Sequence, residues 1–316
     1  MAIEIGPGWT IGGGITISTP PPSVATAGWW TGGGPGGTPK STVQRITFAT
    51  DTNTASVRGP LSSGRMAQAG VNTLTYGWLA GGANPIIGFV TAIERITFAS
   101  DTDATSTRGS ITGRSGLGGT GNDTYGYYAG GESPTVSLVQ RITYTTDTAA
   151  ASTRGPLSAT ARYLAGNGNN SYGYFGGGNN PSSGMSSTVN RIDYANDTPT
   201  TSIRGSLTAA RYLLGATTDS TTYGWYIGGY VSPSPLSRVD RITYATDTAT
   251  ASVRGPLSIV MAYAVGAGDS TYGWVSGSIN STVVNRITYA TDTATASARG
   301  PLAAAAYSMA SLSGIQ

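Results

Sequence analysis

The sequence predicts an all-β fold, a six-bladed β-propeller with four strands per blade and a short β arm ahead of it. Three observations predict this: a unit repeated six times, four strand-like runs within each unit, and chain ends that complement one another. Arg-Ile-Thr or Arg-Ile-Asp begins at Arg45, Arg95, Arg141, Arg191, Arg241 and Arg286, at steps of 50, 46, 50, 50 and 45 residues. Six residues later each copy carries an aspartate: Asp51, Asp101, Asp147, Asp197, Asp247 and Asp292. Seven further on comes Arg-Gly, at Arg58, Arg108, Arg154, Arg204, Arg254 and Arg299. A Gly-aromatic pair precedes every unit, from Gly28-Trp29 to Gly273-Trp274. A fixed period of this length is the signature of a blade array.

The fifth unit shows the four strands. The first is Tyr212–Thr218, followed by a turn at Asp219 and Ser220. The second is Tyr223–Gly229, and a proline-bearing loop leads to the third, Val239–Ala245. A turn at Asp247 and Thr248 precedes the fourth, Ala251–Arg254. Aromatic and β-branched residues punctuated by Gly, Asn, Asp and Ser suit strands and tight turns. No stretch carries a convincing helical apolar period, the alanines after Leu302 coming closest. The first unit starts at its second strand, Gly28–Gly34. After the last Arg-Gly, residues Ala306–Gly314 stand where the first strand of another unit would stand. Pairing them with the Trp29 strand completes blade one and closes the ring, which removes an open sheet edge. The propeller thus spans 23–316, and residues 1–22 form a separate arm.

Composition excludes most enzyme chemistry. The chain has 316 residues, no Cys, no His, a single lysine at Lys40 and only three glutamates, Glu4, Glu94 and Glu132. Disulfides, His-based triads, Cys nucleophiles and His-ligated metals therefore have no residues to build them. Charged residues are 10% of the chain, against about a quarter ordinarily. The arginines are evenly spaced and accompanied by aspartates rather than gathered into a basic patch, so no nucleic-acid binding is expected. No apolar run approaches the roughly 18 residues of a membrane span. The N-terminus lacks the basic and apolar regions of a signal peptide, which predicts synthesis in the cytoplasm. No cofactor is implied.

At Tyr226-Ile-Gly-Gly229 and Tyr244-Ala-Thr-Asp247 the chain resembles the Kelch repeat, over about 290 residues. One departure is plain. The tryptophan that Kelch repeats carry after the aspartate turn is replaced by Val57, Thr107, Thr153, Ile203, Val253 and Ala298. The wording around the turns, as in 241–258, is also similar to propeller proteins of tailed phages, cyanophages in particular. That resemblance implies a virion component in the tail, a fibre or a capsid appendage.

Within the arm, Ile3, Trp9 and Ile15 recur at six-residue steps, as do Ile5, Ile11 and Ile17, with Gly6 and Gly12 between. Strands this short do not fold alone. They bury their side chains as a trimer of arms, as a strand added to another virion protein, or against their own propeller. Pro20–Pro22 then make a stiff, extended linker.

The repeated arginines and aspartates are expected to serve the blades: a guanidinium between blades satisfies a carboxylate and nearby carbonyls, while the aspartate bonds the backbone of its own turn. A calcium site from Asp101 and Asp103 is the only copy with a second Asp at that spacing. The glycine runs end strands rather than opening helices, which argues against phosphate cradles. Glu132 and Asp123 lie at opposite blade edges, against a glycosidase pair. The loops between second and third strands vary most, and should share one face with the connections between units. They carry Lys40, Ile86, Ile87, Phe89, Glu132, Asn180, Met185, Tyr230 and Leu236. Variable loops on a rigid scaffold are where binding usually sits. The function expected is a non-enzymatic virion protein, held to the particle by its arm and facing a host-surface protein or glycan. The alternative is a free, lectin-like propeller binding carbohydrate through Trp and Tyr rims.

Overall fold

The computed structural model describes the backbone at residues 10–11 and 15–16 and the chain from 25 to 313. Six four-stranded antiparallel blades surround an axis, and no α-helix occurs among the described residues. Blade two has strands Ala69–Asn72, Tyr76–Ala80, Ala92–Thr97 and Ser106–Ser110, in that order from the axis outward. Blades three to six repeat the pattern. In the fifth the strands are Tyr212–Thr218, Tyr223–Val231, Val239–Thr243 and Ser252–Arg254. The third strand is shorter than its sequence pattern because Tyr244–Thr246 coil into a single 3-10 turn ahead of Asp247. The same turn recurs in blades one, two, three and six.

Blade one closes as expected. Ala310–Leu312 pairs antiparallel with Ala27–Thr31, with Trp29 opposite Leu312 and Thr31 opposite Ala310. Three strands thus come from the start of the propeller and one from its end. In the arm, Thr10–Ile11 pairs with Ile15–Thr16 as a minimal hairpin. Ile3, Ile5, Trp9 and Ile17, and the side chains of Ile11 and Ile15, lie outside the described residues.

The first strands neighbour one another in an unbroken ring about the axis. They come this close because the residue facing the preceding blade is small: Gly70, Gly119, Gly166, Ala216, Gly266 and Ser311. A Cβ on Gly119 would stand 2.4 Å from the Gly70 carbonyl oxygen, and one on Gly166 would stand 2.2 Å from that of Gly119. Only hydrogen fits there, which is why glycine recurs mid-strand where it otherwise weakens a sheet.

Between blades the packing is aromatic. A ring on the second strand stacks on a ring just past the third strand of the next blade: Trp29 on Phe98, Trp78 on Tyr144, Tyr127 on Tyr194, Tyr174 on Tyr244, Trp225 on Tyr289, and Trp274 back onto Phe48. Centroid separations run from 3.8 to 5.0 Å, so each boundary gains stacking beyond its buried area.

Burial raises the pKa of Tyr128, Tyr144, Tyr226, Tyr244 and Tyr289 well above the ordinary value. A raised folded-state pKa gives stability that is complete below the unfolded value of about 10 and is lost as pH rises beyond it. Alkaline titration should therefore spare these buried tyrosines until the fold itself gives way. The buried set should ionise in one step together with loss of sheet circular dichroism. Ionisation of all 18 tyrosines near their ordinary pKa with the sheet signal intact would contradict the packing.

Candidate functional site

The repeated charges form one arrangement six times over. The Oδ2 of Asp101 in blade two accepts from Trp29 Nε1 at 2.8 Å and Arg45 Nη1 at 3.0 Å, both in blade one, with Arg58 Nε at 3.5 Å. Asp147 holds Trp78, Arg95 and Arg108 in the same way. In blades three and four a tyrosine hydroxyl replaces the indole: Tyr127 with Arg141 and Arg154 on Asp197, and Tyr174 with Arg191 and Arg204 on Asp247. Trp225, Arg241 and Arg254 meet Asp292. Trp274, Arg286 and Arg299 meet Asp51 and so join blade six to blade one. The backbone adds a sixfold bond beside each carboxylate, such as Gly59 N to Asp101 O at 2.8 Å. Each aspartate thus serves the blade before its own. Asp101, with both guanidinium groups on its carboxylate, is committed to this latch, while Asp103 is exposed, so the pair does not assemble a calcium site. Val57, Thr107, Thr153, Ile203, Val253 and Ala298, on the outer strands, face solvent, with Val57, Ile203 and Val253 all more than half exposed.

A second buried network links the connections between units to the third strands. Arg65 pairs with Glu94, and Arg211 with Asp240 at 2.7 Å, every one of these side chains fully buried. Arg114 meets the neutral Gln140 instead, together with the carbonyls of Gly130, Tyr128 and Thr112. Burial lowers Arg65 and Arg114 to about 10. Burial works against ionisation of Asp240, but the Arg211 guanidinium and Thr208 outweigh it and hold the carboxyl below its usual range. Where the connection carries Ala161, Met261 or Ala306 instead of Arg, the third strand carries Asn190, Asn285 or Gln44.

What remains free gathers on one face. The variable loops bridge to the connections between units, Met66 to Ala83, Ser115 to Glu132, Arg162 to Asn179 and Leu236 to Met261, so both sets share one edge as expected. Lys40 is exposed there. Ile86 at 92% and Ile87 at 60% exposure cap a small hairpin whose return strand contains Phe89. Asn180 and Met185 belong to a like hairpin, with Asn180 Nδ2 on the Thr160 hydroxyl at 2.7 Å. Tyr230 and Leu236 are half-buried.

Four further tyrosines, all half-buried, escape a reading of the variable loops because they lie on the connections: Tyr163, Tyr212, Tyr263 and Tyr307. Tyr163 contacts Tyr212, Tyr212 meets Tyr230 edge-on at 5.7 Å, and Tyr263 leans on Tyr307 at 5.0 Å. Tyr163 and Tyr263 sit at φ 55 and 60, a left-handed position shared around the axis by Ala67, Gly116, Leu213 and Ser308. Non-glycine residues held there cost of order 1–2 kcal/mol each, and such outliers cluster at binding sites. Glu132 binds this group from the side, accepting from the Tyr163 hydroxyl, Ser115 Oγ at 3.0 Å and Arg162 Nη1 at 2.6 Å. Burial, then the Glu132 hydrogen bond, raises the Tyr163 pKa. The tryptophans do not contribute: Trp29, Trp30, Trp78, Trp225 and Trp274 are all core residues, which corrects the expectation of a Trp rim. The cavity at this mouth is only about 80 Å³, well short of the roughly 300 Å³ or more of a small-molecule pocket. It suits contact with a surface or a chain end.

No protein-family profile and no curated protein sequence matches the chain. Its geometry therefore carries the functional argument.

Removing one latch carboxylate leaves two guanidinium groups, each only about a fifth exposed, unpaired. Asp197→Asn should destabilise the fold by about 3–5 kcal/mol, read from urea unfolding. Asp103→Asn, at the exposed neighbour position in blade two, should leave the transition where it was. Equal behaviour of the two variants would contradict the latch.

Proposed function

We propose that this chain is a non-enzymatic component of a tailed-phage particle, a Kelch-like propeller that binds through its variable-loop face. Residues 1–22 attach it to other virion proteins. The observation that carries the binding part is the set of half-buried tyrosines at the axial mouth of that face, two of which, Tyr163 and Tyr263, sit in left-handed backbone, with Tyr163 joined through Glu132 to Arg162. The landmark arginines and aspartates, by contrast, are consumed in holding blades together. The particle part rests on the similarity of the repeat wording to phage propellers.

A free carbohydrate-binding propeller is the second reading. Aromatic faces flanked by a carboxylate and a guanidinium are what a sugar ring with its hydroxyls needs, and the Tyr163–Glu132–Arg162 group offers them.

Antiserum against the propeller should label purified phage particles. A chain lacking residues 1–22 should fail to incorporate. Tyr163→Ala with Tyr263→Ala should incorporate normally yet lower adsorption to the host at least about tenfold, the effect of losing 1.4 kcal/mol or more of binding. Absence of the chain from particles, with sugar binding by the soluble propeller on a glycan array, would replace the first reading by the second. Adsorption unchanged by the double substitution would remove the tyrosine face from both.

A further inference from the structure

Five blades cover their latch arginine with a tyrosine two residues before the stacked aromatic. Tyr76 lies against Arg95, Tyr125 against Arg141, Tyr172 against Arg191, Tyr223 against Arg241 and Tyr272 against Arg286, with the guanidinium carbon 3.9–4.4 Å from the ring centroid. In blades two, five and six the same tyrosine also meets the neighbouring indole edge-on at 5.7–5.8 Å. Blade one has Ala27 at this position. Arg45 is accordingly the most exposed of the six, at 27% against 17–21% for the rest. Where the ring is missing there is a half-open recess of about 310 Å³, lined by Ala25, Ala27, Trp29, Arg45, Leu74 and Phe98. Leu74 at its rim is 43% exposed.

The five other blades define what fits such a place: one aromatic side chain against the guanidinium, which in four of them is also edge-on to the inner ring. The chain enters the propeller at Ala25, on the wall of this recess. Ahead of it, residues 1–24 hold a single aromatic, Trp9. Trp9 adjoins Thr10 in the sequence, and Thr16, the hairpin partner of Thr10, stands nine residues before Ala25. From Thr16 to Ala25 an extended chain spans about 30 Å, of which the stiff Pro20–Pro22 stretch takes about 9 Å, and the residues on either side of it have room to turn. A tether this short also supplies a local concentration in the millimolar range, so a shallow seat suffices.

We propose that the recess in blade one is a socket for Trp9 of the chain's own N-terminal segment, whose indole takes the place of the absent tyrosine over Arg45. The seat fixes the base of the arm to the propeller and leaves Ile3 and Ile5 for a partner.

The test uses the full chain labelled with fluorotryptophan and read by fluorine NMR, the Trp9 resonance being the one lost in Trp9→Phe. It should lie away from its position in a synthetic peptide of residues 1–16. Ala27→Tyr, which restores the residue of the other blades, should return it to the peptide position while the resonances other than that of Trp29, which lines the recess, hold theirs. Leu74→Glu, at the exposed rim, should do the same and covers the case in which Ala27→Tyr does not fold. A Trp9 resonance at the peptide position in the unmodified chain would overturn the proposal. So would one that is displaced but indifferent to both substitutions, and so would one that returns to the peptide position on dilution, since the occupant would then belong to a second copy. These readouts need no particle or ligand, so their outcome is independent of the function proposed above.

Discussion

One buried carboxylate per blade holds the ring together. An aspartate in the turn between the third and fourth strands of each blade reaches into the preceding blade and collects an aromatic N–H or O–H and two guanidinium groups. Burying these charges is costly, and only the completed set offsets the cost. The aspartate side chains are 5–9% exposed and the arginines mostly about a fifth, so the attraction acts in a poorly screened setting. The stacked rings position the donors, and the glycines of the inner ring let the blades approach closely enough for the carboxylate to reach. The same latch recurs at every boundary, including the one that joins blade six to blade one.

This division of labour explains how one face becomes available for recognition. The edge carrying the 3-10 turns is fixed by the latches and repeats almost unchanged. The opposite edge contributes little to them, so its loops vary in length and chemistry. There the chain places its strained tyrosines, its one lysine and the Ile86 tip. The Arg65–Glu94 and Arg211–Asp240 pairs lie just beneath and anchor two of the connections that carry the face.

The repeat made the blades, their order and the closing strand legible, because period, strand alternation and complementary ends are all local patterns. The direction of the latch was not. Asp51 is six residues from Arg45 in the chain, yet its carboxylate meets Arg286 and Arg299, while Arg45 reaches Asp101. Sixfold repetition hides such a shift, since every copy offers the same residue types. The tyrosine face was obscured for another reason. Tyr163 and Tyr263 stand three residues before the inner small residue, and Tyr212 and Tyr307 four, so they form no single column when units are superposed. Only the left-handed turn at the axis brings the two registers together. The Arg114–Gln140 pairing shows the same limit: a neutral partner gives no charge pattern to notice.

The most direct test is a double-mutant cycle across the closing boundary, with Asp51→Asn, Arg286→Gln and their combination followed by urea unfolding. A coupling of at least about 1.5 kcal/mol between residues in such close ionic contact is the result the latch requires. The interior pair Asp197 and Arg141 should give a similar value. Coupling indistinguishable from zero at Asp51 would mean that the carboxylate merely occupies the boundary, and that stacking alone closes the ring.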